Sequence, residues 1–206
     1  MARESITAAR TSNRAIGARV RARLSGLSEA ALNRSIQRTL AGAKRRFEPA
    51  AKRVIRDSYG VKARDLSGKF SVRTGLDDDG EYVALAAGTK GIPLLSFGGR
   101  WRGPARRKGR WAPAATAEVR KGDRKTYSSA FIATINGTRR LVARQLVRGA
   151  GGARDPRNRL RTLTGPSPVQ MVEGDNDRNA QAIADEVNTF MADELARQVL
   201  LSRGSK

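Results

Sequence analysis

Asn136-Gly137 lies between two runs of alternating character, Ala130–Ile135 and Thr138–Arg144. Asn-Gly is the preferred centre of a two-residue type I′ turn, because both residues tolerate positive φ. A turn of that length leaves one register. Ile135 faces Thr138, Ile132 faces Leu141, and Phe131 faces Val142, so the apolar residues meet across the strands. Any fold for this chain has to accommodate that hairpin.

Other strand signals surround it. Lys69–Thr74 and Glu81–Ala87 alternate and are joined by an acidic turn, Asp77–Gly80. Gly91–Phe97 reads as a short extended piece whose proline favours a sheet edge. Leu160–Leu163 is a candidate last strand. The flanks read as helix. Ile6, Ala9, Asn13, Ile16, Val20, Leu24 and Leu27 recur at three- and four-residue steps. After Ser25-Gly26, with Ser28 as a new N-cap, Leu32, Ile36, Leu40, Ala43, Phe47, Ala51, Val54 and Ile55 form a second stripe. Pro49 is expected to kink or restart this helix, and Gly60 to cap its end. Gln181–Leu201 places Ile183, Val187, Phe190, Met191, Leu195 and Val199 on one face. The expected fold is α+β: basic N-terminal helices, a central mainly antiparallel sheet with the 130–144 hairpin, and an amphipathic C-terminal helix. The expected divisions are 1–66, a β-rich core over 67–172, and 173–206.

Charge narrows the function. The 206 residues hold 41 Lys and Arg against 19 Asp and Glu, a net charge of +22, with no histidine and no cysteine. A chain so basic works against something strongly negative, either nucleic acid or an acidic protein surface. Without histidine or cysteine there is no imidazole acid/base, thiol nucleophile, thiolate metal site or disulfide. Aromatics make up only 5%, so the core is expected to be thin. No apolar run reaches membrane-span length, and no signal-peptide core is present near Met1, so neither a membrane nor a secretory role is expected.

The charge is uneven. Residues 1–75 carry +13, 76–99 carry −3, 100–125 carry +8, 126–169 carry +7, and 170–206 carry −3. Opposite signs on one chain suit head-to-tail contact between copies. Within 100–125, Trp101 and Trp111 stand among Arg100, Arg102, Arg106, Arg107, Lys108 and Arg110, punctuated by glycine and proline. This stretch reads as a long loop, of a length that in compact domains is usually functional or disordered. In one reading its guanidiniums meet phosphate while indole stacks on bases. In the other the tryptophans anchor the loop and the arginines meet acidic groups of a neighbouring subunit. Lys44, Arg45 and Arg46 add a second cationic cluster on the N-terminal helix. Asp77, Asp78, Asp79 and Glu81 lack calcium-loop spacing, and neither Gly98-Gly99 nor Gly149–Gly152 has the lysine and hydroxyl of a phosphate loop. No catalytic residue, metal ligand or cofactor site is expected.

Two segments carry a resemblance. Ser129-Ala130-Phe131-Ile132-Ala133-Thr134-Ile135-Asn136-Gly137 runs into an arginine-rich return strand. Leu160-Arg161-Thr162-Leu163-Thr164 then leads into Gly165-Pro166-Ser167-Pro168-Val169-Gln170-Met171 before the last helix. Together with Ala31-Leu32-Asn33-Arg34 and Tyr59-Gly60-Val61-Lys62, these resemble the minor tail protein Z family of long-tailed bacteriophages and prophages. The likeness covers roughly residues 30–200, with Pro168-Val169 transposed from the order frequent in that family. It implies a structural tail-completion or neck protein at the head-proximal end of the tail, aiding head–tail joining and DNA passage. The implied setting is the virion, with assembly in the bacterial cytoplasm. The implied partners are further copies in a ring, a tail terminator, tail tube or head–tail connector protein, and the phage DNA end. The alternative is a sequence-nonspecific nucleic-acid-binding protein.

Overall fold

A computed structural model describes residues 5–12, 29–77, 80–107, 110–145, 159–174 and 177–204. It is an α+β protein in two compact units. The first comprises Met1–Ile55, Ser67–Thr89 and Pro168–Lys206; the second comprises Arg56–Leu66 and Lys90–Ser167.

In the first unit, β1 (Ser5–Ser12), β2 (Phe70–Asp77) and β3 (Gly80–Gly88) form an antiparallel sheet in the order β1-β3-β2. Asp77 pairs with Gly80, which confirms the expected β2–β3 hairpin; Asp78 and Asp79 lie outside the described residues. β3 is the central strand, and Val83 through Ala87 are all buried. The helical reading of Ile6 and Ala9 is corrected, because Ser5–Ser12 is a strand running from Ser5 opposite Gly88 to Ser12 opposite Tyr82. β-Branched Ile6, Thr7 and Thr11 suit that conformation, and pairing satisfies an edge of β3 that would otherwise be open. Asn13 through Ser28, with the remainder of the first stripe and the expected N-cap, lie outside the described residues.

Helix α1 (Glu29–Ser58) starts in this unit and buries Leu40, Ala43, Phe47, Ala50, Ala51 and Ile55 at helical steps. It continues through Pro49 without restarting. Pro49 is exposed, so the donor it lacks is missing on the solvent side, where water can serve the Arg45 carbonyl. α2 (Pro168–Glu173) opens on proline, whose missing N–H is no loss in a first turn. α3 (Arg178–Gly204) buries Ile183, Val187, Met191, Leu195 and Val199, as its sequence pattern requires. It runs antiparallel to α1. Arg53 pairs with Glu186 at 2.9 Å, the Arg46 guanidinium lies 5.0 Å from the Phe190 ring centre, and the Ser35 and Ser202 hydroxyls are 3.4 Å apart. The buried hydroxyls of Ser35 and Thr39 donate to the carbonyls of Ala31 and Ser35, each at 2.9 Å, so neither is left unsatisfied.

The second unit holds two three-stranded antiparallel sheets. One is β4 (Arg100–Arg107), β5 (Arg110–Arg120) and β6 (Asp123–Ser128); the other is β7 (Ala130–Ile135), β8 (Thr138–Gln145) and β9 (Arg159–Thr162). The Asn136-Gly137 hairpin forms as expected. Asn136 has φ 50° and Gly137 φ 74°, and Phe131 pairs with Val142 and Ile132 with Leu141. The expected extended piece at Gly91–Phe97 is instead a single bridge, Pro93 to Thr164, followed by a 3-10 turn at Leu94–Phe97.

That bridge accounts for Gly165-Pro166. The Gly165 N–H donates to the Ile92 carbonyl at 2.7 Å, and the Ile92 N–H donates to the Pro166 carbonyl at 3.2 Å. A Cβ on Gly165 would stand 2.7 Å from the Phe97 ring. Downstream, Ser167, Pro168, Val169 and Met171 are buried, whereas Gln170 is exposed. In the structure this motif packs and pairs.

A candidate anion-binding surface

The reading of 100–125 as a loop is overturned. β4 and β5 form a hairpin in which Arg106 pairs with Trp111 and Arg107 with Arg110. Lys108 lies outside the described residues. Glycine and proline mislead here because the strand absorbs both. Gly103, at φ 80°, sits in the register shift between Trp101 and Pro104, and Pro104 lies opposite Pro113. Such a bulge takes an extra residue without ending the ladder. On the far side β5 continues into β6, which begins after a turn at Gly122 with φ 81°.

Register sorts the side chains. Arg100, Thr116 and Thr126 form one cross-strand row; Trp101, Ala115 and Tyr127 form the next, on the opposite face. Trp101 is 55% exposed, while Ala115 beside it is fully buried. Arg100 and Arg102 are exposed. The structure therefore brings Arg100, Trp101, Arg102, Arg106, Arg107, Arg110 and Trp111 onto one hairpin. The cluster on α1 belongs to the first unit, where Lys44 and Arg45 are exposed and Arg46 lies over Phe190.

Sequence reading did not single out a second feature, a notch of about 280 Å³ in the second unit. Arg56, Glu118, Lys121 and Arg124 supply its charges, and Tyr59, Val61 and Phe97 its apolar floor. The elements meet because the end of α1 is spliced onto the end of β5. Tyr59 bridges Arg120, the Gly60 N–H donates to the Val119 carbonyl, and the Lys121 N–H donates to the Ser58 carbonyl, both at 3.1 Å. Arg120 then lies with its guanidinium 5.7 Å from the Tyr59 ring centre. Gly60 is not the left-handed cap expected of it. A Cβ there would overlap the Glu118 carbonyl oxygen, so closeness to β5 demands the glycine.

Arg124 is committed within the notch, donating to Glu118 Oε2 at 3.1 Å, the Gly98 carbonyl at 3.3 Å and Thr116 Oγ1 at 3.4 Å. The Glu118 carboxylate also accepts the Gly122 N–H at 3.0 Å. That backbone bond, then Arg124, holds its pKa below the usual carboxylate value. Arg56 and Lys121 are exposed and have no ion-pair partner among the described residues. The only sequence sign of this site was Lys121-Gly122-Asp123-Arg124, a basic turn whose glycine reverses the chain.

Among the described residues no cluster of three or more acidic side chains is placed to hold a metal. Comparison with protein-family models, with curated proteins and with solved structures gave no match.

Proposed function

We propose that this chain is a structural tail-completion or neck protein of a bacteriophage or prophage. It acts at the head-proximal end of the tail as one copy in a ring and docks on an acidic surface of a neighbouring ring. One observation carries the docking reading: the basic stretch from Arg100 to Arg120 is a paired hairpin whose base is extended by β6. A ligand-binding loop is ordered at the moment of binding, at a cost, whereas a paired strand has its backbone ordered beforehand. The hairpin and Gly-Pro-Ser segments support the tail assignment by their resemblance to the minor tail protein Z family. Such a protein binds and positions, so its work needs no cofactor or catalytic group.

The experiment replaces Arg106, Arg107, Lys108 and Arg110 by alanine, beside an all-lysine version, and counts joined and infectious particles. Tails of normal length that fail to join heads, with recovery in the lysine version, support the reading. Full infectivity of the alanine variant removes the hairpin from docking. Failure of the tube to polymerise places the protein earlier in assembly.

The exposure of Trp101 favours a second reading, sequence-nonspecific nucleic-acid binding, since an exposed indole beside arginines offers a stacking platform. Arg100 and Trp101 alternate across the strand, so one nucleic-acid strand would have to wrap its edge to use both.

A further inference from the structure

We propose that the notch between the end of α1 and the β5–β6 turn receives the carboxylate of an acidic side chain on a partner protein. Arg56 and Lys121 are its charge partners. This inference rests on the docking role above and names a separate site for it.

Three features select that ligand. The lining carries three cations, Arg56, Lys121 and Arg124, and one anion, Glu118, a net +2. Arg124 is occupied with Glu118, Gly98 and Thr116, and its orientation is thereby set. The two remaining cations face an incoming anion, Lys121 also acting through space on Glu118, and a monoanion meets less repulsion from the Glu118 carboxylate than a dianion would.

The second feature is size. The cavity of about 280 Å³ is below the roughly 300–1,000 Å³ of pockets for drug-sized ligands. It has room for a carboxylate and its methylenes. The third is the shape. Tyr59, Val61 and Phe97, each 5% exposed or less, floor the notch and leave its accessible surface to the charged rim. Duplex phosphates sit on a convex cylinder, tethered on both sides, whereas a carboxylate rides on the end of a side chain that can enter a notch.

The test follows backbone amide shifts of the full chain on titration with a capped Ser-Glu-Glu-Ser peptide. Inorganic phosphate and oligothymidylate serve as competitors. Shifts centred on Gly60, Gly98, Lys121 and Gly122 are expected. The R56E/K121E variant should weaken peptide binding by about tenfold or more. K69E/K90E removes the same charge at two exposed lysines elsewhere and should stay within about twofold. Shifts centred on other residues, or equal weakening in both variants, would overturn the proposal. So would phosphate or oligothymidylate displacing the peptide from these amides at lower concentration, since the site would then belong to phosphate. Retained contacts between Phe131 and Val142 report that a variant is folded. Should R56E/K121E lose them, Lys121→Gln is read the same way and is expected to weaken binding severalfold.

Particle counts separate this inference from the tail assignment. If R56E/K121E loses the peptide while hairpin variants and R56E/K121E all join heads normally, the notch stands and the tail role falls. If the peptide ignores the notch while hairpin variants still fail to join, the tail role stands and the notch falls.

Discussion

Gly60 packs against the carbonyl oxygen of Glu118 so closely that a methyl group on residue 60 would overlap it. The same glycine donates its N–H to the Val119 carbonyl, so it cannot retreat without breaking the splice between α1 and β5. Gly60→Ala should therefore cost about 2–3 kcal/mol, as overpacking does. Gly137→Ala has open space around it but a φ of 74°, and should cost about 1–2 kcal/mol from backbone strain alone. Urea unfolding of both variants checks the order. A larger loss at Gly137 would mean that the close approach at Gly60 relaxes easily.

Leu141 is fully buried on β8, whereas its cross-strand partner Ile132 is only half-buried. Leu141→Ala should destabilise by about 2–4 kcal/mol and Ile132→Ala by clearly less, since the cavity term applies where the surroundings close on all sides. Equal losses would place the centre of this sheet's packing elsewhere.

Pro49 sits exposed inside an unbroken helix. Proline costs roughly 3 kcal/mol relative to alanine in a helix interior, partly recovered through its stiffening of the unfolded chain. Pro49→Ala is expected to raise stability by about 1–2 kcal/mol, measured as a higher urea midpoint with unchanged slope. A fall would mean that the proline ring makes a contact the helix depends on.

Glu194 on α3 accepts Arg197 Nη2 at 2.7 Å, Arg197 Nε at 2.9 Å and Gln198 Nε2 at 2.7 Å. These bonds, Arg197 first, lower its pKa to about 2 from the ordinary 4.5. A depressed carboxylate pKa gives stability that is fully present above the unfolded value and is lost as pH falls through the folded one. The Glu194 contribution should thus fade between pH 4.5 and about 2. A carboxyl titration by NMR should put its midpoint near the bottom of that window, and Arg197→Ala should move it upward. An unmoved midpoint would assign the shift to another cause.

With a net charge of +22, isolated protein should bind duplex DNA without sequence preference and release it steeply as salt rises, because phosphate contacts displace counterions. Trp101→Ala separates the two functional readings. If Trp101 stacks on bases, affinity for single strands should fall by about 1–3 kcal/mol. If the hairpin docks on protein, that affinity should hold while head–tail joining is unaffected by nuclease.

How much was visible in the sequence depends on how local the signal is. The 130–144 hairpin was legible down to its residue pairs, since Asn136-Gly137 dictates a turn of two residues and the turn dictates the register. The buried face of α3 was legible for the same kind of reason, because Ile183, Val187, Met191, Leu195 and Val199 recur at helical steps. The hairpin at 100–120 was not. Its glycines and prolines announce a loop when taken one at a time, and only pairing of Arg100 with Thr116 and Arg107 with Arg110 reveals that a bulge accommodates them. β1 was missed because Ile6 and Ala9 fit a helical period, while the edge of β3 that recruits them lies more than 70 residues away.

The candidate site divides along the same line. Sequence alone determined that the chain is strongly basic, that it has neither histidine nor cysteine for chemistry, and which residues carry the 130–144 turn. These follow from composition and from backbone preferences that act over a few residues. Only the tertiary structure decided that Arg56 and Lys121, 65 residues apart, line one notch with Arg124. That meeting depends on hydrogen bonds joining Ser58 and Gly60 to Lys121 and Val119. Nothing in the flanking sequence encodes them, because a long-range backbone pair uses groups that every residue has.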